Sequence, residues 1–244
     1  MKSRYQEHPI QGRLAPFVEC FWSIEPGSPL PEYPVLPDGC VDILFSPSSA
    51  AGLQIVGTMT QARRFSISGK HREFGIRFRP GMAYPVLRLS GIETTDQSIP
   101  LSDICGSAGD RLSAQMQEAE SPEECVGLLE AHLGDPDQPG VVQRICAAIV
   151  ERRGQSRVDE LAFDAAMSAR QLRRLFLEQL GLSPKHFCRV IRFRDSVSRI
   201  AACGKGGDWA QVALDCGYYD QAHFINEFRE LSGATPAQFA SLER

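Results

Sequence analysis

The stretch SARQLRRLFLEQLG over 168–181 leaves little choice of structure. Ser168 is a natural N-cap and Gly181 a natural residue just past a helix end. Between them Leu172, Leu175 and Phe176 share one helical face. At about 100° per residue, Arg170, Arg173, Arg174 and Leu177 take the opposite face. The apolar face needs a core, so the arginines point away from it. Arginine grips guanine O6 and N7 bidentately and also holds phosphate. Upstream, Val158, Leu161, Ala162 and Ala165 fall at i, i+3, i+4 and i+7, the spacing of another helix. A short turn over 166–168 completes a helix-turn-helix unit at about 157–181.

A second unit lies at about 207–233. Trp209, Val212 and Ala213 give a buried face closed by Cys216, and Gly217 ends that helix. Asp220 caps the next, which buries Phe224, Phe228 and Leu231 and stops at Gly233. Its outward face carries Ala222, Ile225, Asn226 and Arg229, with His223 to one side. Asparagine suits adenine N6/N7, and Arg229 suits phosphate. Between the units, Ser183 and Pro184 open a long helix to about 203. Phe187, Ile191, Val197 and Ala201 are expected inside. Lys185, Arg189, Arg192 and Arg199 form a stripe that is either a solvated face or, beside an arginine-faced helix, a phosphate-contacting one.

Overall charge conceals this segment. The chain has 26 Lys/Arg against 30 Asp/Glu, net −4, which taken alone argues against nucleic acid. Residues 1–150 carry 12 basic and 18 acidic side chains, and 151–244 carry 14 and 12. Within 165–200 there are 8 basic and 2 acidic. No run of about 18 apolar residues predicts a membrane span, and the polar start of the chain has no apolar core of a signal peptide. The expected location is cytoplasmic. The eight cysteines form no C-x-x-C pair, so they are expected to be reduced and buried. The five histidines have no metal-ligand spacing. No metal, cofactor or enzymatic activity is expected.

The first half reads differently. β-Branched and aromatic runs at 17–24, 41–45, 53–57, 65–68 and 73–78 alternate with Gly/Pro/Ser-rich stretches at 25–31, 46–52 and 68–70. They predict a small β-sandwich or barrel-like domain. Helices are expected over 82–89, 101–118 and 122–133. The breaker cluster GDPDQPG at 134–140 is expected to be a linker with few packing contacts. The expected fold class is α+β. A β-rich domain with appended helices covers 1–135, and an all-α domain of two helix-turn-helix units joined by a long helix covers 136–244.

The C-terminal residues resemble the DNA-binding domain of the AraC/XylS family of bacterial transcription regulators. The matching elements are L-A at 161–162, S-x-R-x-L-R-R-L-F at 168–176, G-x-S-P at 181–184 and R-F at 192–193. V-A at 212–213, G-Y-x-D-Q-A-H-F at 217–224, F-R-E at 228–230 and G-A-T-P-A-Q-F at 233–239 complete the match. Phe193 stands where leucine is usual, and Ser196 where alanine is. The resemblance implies that one molecule inserts two recognition helices into successive major-groove segments on one face of double-stranded DNA. Carried over by position, the base readers are Arg170, Arg173 and Arg174 in the first unit, and Ala222, His223 and Asn226 in the second. Gln171 and Gln221 flank them, suited to phosphate or base edges. The second helix is poor in positive charge, with Asn226 and Glu227 where basic or small polar residues are frequent. The first unit is therefore expected to dominate specificity.

L-P-D-G-C-V-D-I-L-F at 36–45, V-G-T-M-T at 56–60 and F-G-I-R-F-R-P-G at 74–81 resemble a domain found ahead of this module in some members. By analogy that domain senses a small-molecule effector. A homodimer, and RNA polymerase as a partner if the protein activates, follow from the same analogy. Asp38, Arg77 and Arg79 are the effector candidates. Asp38-Gly39 otherwise reads as a turn, and the two arginines as a solvated or ion-paired strand face. A cysteine-based redox or alkylation sensor on the same DNA-binding domain is the rival. Cys20 and Cys40 are too few for a four-cysteine metal site. Asp38 and Asp42 beside Cys40 would raise its pKa rather than lower it.

Overall fold

The computed structural model of the chain describes residues 5–27, 30–47, 49, 51–119, 121–204 and 207–242. The turn-rich stretches at 25–31 and 46–52 lie partly outside these.

The first half is built on an antiparallel six-stranded sheet. Its order is β1 (Tyr5–His8), β2 (Val18–Ile24), β7 (Glu73–Phe78), β4 (Asp42–Phe45), β5 (Leu53–Val56) and β8 (Ser98–Pro100). Strands β3 (Leu30–Val35) and β6 (Arg63–Ile67) pair separately as a two-stranded ribbon. The α+β organisation is as expected, with no closed barrel among the described residues. Strand alternation sends Phe21, Ile43, Ile55, Ile76 and Phe78 to one face. There they share a core with Leu101, Leu112, Met116, Cys125 and Leu129. Cys20, Trp22 and Ile24 face the other way and meet Ile67 of the ribbon.

The appended helices are shorter than the periodicity predicts. The 82–89 segment gives α1 (Tyr84–Leu87), followed by α2 (Gly91–Thr94). Between them Arg88 turns left-handed, φ 54°. The 101–118 segment breaks at Gly106, φ 56°, into α3 (Leu101–Cys105) and α4 (Ser107–Glu118). Helix α5 (Pro122–Leu133) is as expected. The breaker cluster departs from its expectation of few contacts. Arg88 forks onto both oxygens of Asp137 at 2.9 Å, Asp137 N–H donates to the Pro85 carbonyl at 2.8 Å, and Arg13 pairs with Asp135 at 2.8 Å.

Helices α6 (Val141–Glu151), α7 (Val158–Asp164), α8 (Ala169–Leu180), α9 (Pro184–Cys203), α10 (Trp209–Asp215), α11 (Gln221–Ser232) and α12 (Pro236–Leu242) follow. They enclose two separate cores. The first gathers Ile145, Ile149, Leu161, Leu172, Phe176 and Phe187. The second gathers Phe193, Ile200, Val212, Phe224, Phe228 and Leu231. Among the described residues, helix α9 alone contributes to both, through Phe187 to Ile191 and through Phe193 to Ile200. Ala201, expected inside, is exposed, because the inward stripe passes through Ser196 and Ile200.

The helical half docks on the sheet half. Leu36 packs on the second core, Arg194 pairs with Glu19, and Gln143 Nε2 donates to the Gly81 carbonyl at 3.4 Å.

Candidate nucleic-acid interface

Each recognition helix is set by its caps. On α8, Gln171 N–H donates to Ser168 Oγ at 3.2 Å, and Ser168 N–H donates back to Gln171 Oε1 at 2.9 Å. This reciprocal cap satisfies two orphan donors. Gly181, φ 72°, ends the helix by donating to the Leu177 carbonyl. Leu172, Phe176 and Leu180 are buried, which rotates Arg170, Arg173 and Arg174 into solvent. All three are exposed, and none forms an ion pair among the described residues. Gln171 is exposed too, but its side-chain oxygen already serves the cap.

On α11, Asp220 Oδ1 accepts from His223 N–H at 2.7 Å, and Gly233 closes the far end. Phe224, Phe228 and Leu231 are buried, so Gln221, Ala222, His223, Asn226 and Arg229 lie exposed. The His223 ring stands edge-on to Tyr218, centroids 5.4 Å apart. The two exposed faces differ in kind: α8 shows three guanidiniums, whereas α11 shows two amides, an imidazole and one guanidinium.

The stripe on α9 has another role than a single solvated face. Arg189 Nε donates to Glu227 at 2.8 Å and Nη2 to Glu230 at 2.7 Å. Arg192 lies 3.5 Å from Glu227 and sits over the Tyr218 ring at 4.8 Å. Arg199 pairs with Asp195 and Asp215, and Lys185 is exposed. Both Arg189 and Arg192 are half-buried, and they tie α9 to α11. Burial and the Glu227 charge hold the Tyr218 phenol well above its usual pKa. Glu227, noted in the sequence only as a departure, is the hub of this cluster and is 5% exposed. Its position was readable: with Phe224, Phe228 and Leu231 it completes the i, i+3, i+4, i+7 stripe. A glutamate on that stripe is buried and needs a cationic partner.

In the sheet half, Arg77 lies 3.3 Å from Asp42 and 3.7 Å from Asp38. Asp42 also accepts from Trp22 Nε1 at 2.9 Å. The candidates Asp38 and Arg77 are thus each other's partners, and Arg79 is exposed. Cys40 is buried, and burial followed by the Asp38 charge pushes its thiol well above the ordinary range.

A family model described as a helix-turn-helix domain matches residues 161–241, which span both units and the helix joining them. Residues 161–241 are an AraC-type helix-turn-helix domain. A second model, a domain of unknown function (DUF6597), matches residues 6–100. The HTH-type transcriptional regulator ArgR of Pseudomonas aeruginosa is 25% identical over 142 residues, which is 58% of this chain and 34% of the relative. The HTH-type transcriptional regulator GbdR of the same species is 28% identical over 147 residues, 59% of this chain and 31% of that one. The matched stretch is thus about a third of each relative's length. Among solved structures, an AraC-type regulator from Chromobacterium violaceum aligns with 41% of this chain and 89% of its own at 22% identity, TM-score 0.38. ToxT from Vibrio cholerae aligns with 98% of this chain and 97% of its own at 11% identity, TM-score 0.46. The AraC-type domain of this chain begins inside α7 and closes with α12, so α6 lies ahead of it.

Proposed function

We propose that the chain is a sequence-specific, double-stranded-DNA-binding transcription regulator of the cytoplasm. In this reading α8 and α11 enter successive major-groove segments. Arg170, Arg173 and Arg174 supply the main base and phosphate contacts, and Gln221, His223, Asn226 and Arg229 the second set. The observation that carries it is the α8 face: three exposed guanidiniums without carboxylate partners among the described residues, on a helix fixed by a buried opposite face. Arg189 and Arg192 act differently, by holding α11 on α9 rather than as free phosphate contacts. The test is binding of the full chain to duplex fragments around its own gene at stepped salt. Affinity that falls steeply with salt supports the reading, since phosphate contacts release counterions. A flat response overturns it.

We further propose that the sheet half, residues 1–135, takes a small-molecule effector, and that homodimerisation and contact with RNA polymerase belong to its regulatory cycle. A cavity of about 380 Å³ at the ends of β4 and β7 is lined by Phe45, His71, Arg72, Phe74 and Met116. That volume lies within the range of small-molecule sites. A ligand-screened thermal shift of the full chain tests this, because a ligand that binds the native state raises its melting temperature. The cysteine-sensor reading has less support. Cys20, Cys40, Cys125, Cys146, Cys188 and Cys216 are buried as expected, whereas Cys105 and Cys203 are exposed, and burial pushes Cys188 up to about 11 and Cys216 up to about 12. Thiols in that range hold little reactive thiolate at neutral pH.

A further inference from the structure

Two short segments of the sheet half reach the C-terminal ends of both recognition helices. Helix α2 lies against the end of α8 with backbone on backbone. A Cβ at Gly91 would stand 2.1 Å from the Gly181 nitrogen, and one at Gly181 would stand 1.7 Å from Thr95 Oγ1. On the other side, Ala62 N–H donates to the Leu231 carbonyl at 2.7 Å. That carbonyl belongs to the last turn of α11, where helix carbonyls lack intrahelical donors.

The two segments are also fastened to each other. Asp96 accepts from Thr60 N–H at 2.8 Å and from the Thr60 hydroxyl at 2.7 Å. Asp96 N–H donates to the Thr58 carbonyl at 3.0 Å, and Gly57 N–H to the Gln97 carbonyl at 3.0 Å. Asp96 holds φ 57°, a left-handed backbone that a non-glycine residue keeps only where its surroundings enforce it.

The helical half needs such a fastening. Among the described residues its two cores are separate and share only α9, so bending α9 would change the distance and angle between α8 and α11. On DNA that matters. Moving a half-site by one base pair shifts it about 3.4 Å along the axis and about 34° around it.

Resting on the DNA-binding reading above, we infer that the Thr58–Ala62 and Gly91–Asp96 segments form a bracket that fixes the separation of the two recognition helices. The bracket, α8, α9 and α11 make a closed frame, and Asp96 with Thr60 is its joint. Both are positioning residues: they touch no DNA, and they set the half-site spacing that the protein accepts. The sheet half thereby takes part in specificity at positions it never contacts.

The test is a binding-site selection with full-length protein on duplexes whose spacer between the two half-sites is randomised in length. It is run for the wild type, Asp96→Ala and Thr60→Val, each shown to be folded by a cooperative thermal melt. Thr60→Val keeps the shape of the side chain and removes the hydroxyl donor. The expected result is one strongly preferred spacing for the wild type, about tenfold over its neighbours. For both variants the preference flattens across adjacent spacings, while their affinity for a fragment carrying only the first half-site stays unchanged. Wild-type spacing preference retained in both folded variants would overturn the bracket and leave the DNA-binding reading standing. If the wild type selects no sequence at all, the DNA-binding reading fails and the bracket with it.

Discussion

Arg189 and Glu227 meet at 2.8 Å across α9 and α11, and the glutamate is 5% exposed. The contact joins the long helix to the second recognition helix from beneath. Its neighbours Arg192, Tyr218 and Glu230 close the same cluster. Removing one member of a buried ion pair leaves the other charge without compensation, which costs about 3–5 kcal/mol where both are fully buried. Arg189 keeps some solvent access, so Glu227→Ala is expected near the lower end. The shift of the urea midpoint measures it. Glu160→Ala, which breaks the exposed pair with Arg157, should change stability by no more than about 0.5 kcal/mol. Equal effects of the two substitutions would contradict the account of the cluster.

The same cluster separates two kinds of arginine. Arg189→Ala should lower both stability and DNA affinity, because it loosens α11. Arg173→Ala should lower DNA affinity and leave the melting temperature unchanged. Thermal melts and gel-shift titrations on the same preparations decide it. An Arg189→Ala protein with wild-type stability and reduced affinity would show a direct phosphate contact instead.

His186, on the first turn of α9, gives a pH prediction. Burial, and then the charge of Arg189, hold its pKa below the ordinary histidine value. Glu230, Asp96 and the Thr60 backbone face the same ring and act in the opposite direction. With the folded pKa lowered, the unfolded chain binds the proton first as pH falls. The imidazole's contribution is therefore complete above about 6.5 and is lost as pH drops towards the folded value. Between pH 8 and 5.5 the wild type should lose more stability than His186→Gln. Parallel pH curves for the two proteins would refute this.

Two glycine substitutions test the packing at the end of α8. A methyl added at Gly233, φ 77°, would meet nothing within 4 Å among the described residues, so Gly233→Ala costs only left-handed strain, about 1 kcal/mol. Gly181→Ala adds a collision with Thr95 and the Gly91 backbone. Its melting temperature should fall well below that of Gly233→Ala. Similar values would mean that α2 does not seat on α8 in solution.

The two helix-turn-helix units were legible in the sequence because local chemistry determines them. Ser168, Asp220, Gly181 and Gly233 stand at the caps, and the apolar stripes between them are buried. Strand β3 was hidden because its start, Leu30 and Pro31, fell in the 25–31 separator and Pro34 interrupts the rest; among the described residues it pairs only with β6. Strands β1 and β8 are short and rely on β2 and β5. The roles of Arg189 and Arg192 depend on α11, and their own helix periodicity carries no trace of it. The Asp96–Thr60 contact spans 36 residues and joins two loops, where no periodicity operates.

The central claim is that this chain reads DNA chiefly through α8. Binding-site selection on full-length wild type, Arg170→Ala, Arg173→Ala, Arg174→Ala and Asn226→Ala tests it most directly. A bidentate arginine–guanine contact contributes about 1–3 kcal/mol of discrimination. The account predicts that at least one of the three arginine variants loses preference at one or two base pairs of the selected site, and that Asn226→Ala loses less. If Asn226→Ala erases more sequence preference than any of the three, α11 is the principal reader and the claim is wrong.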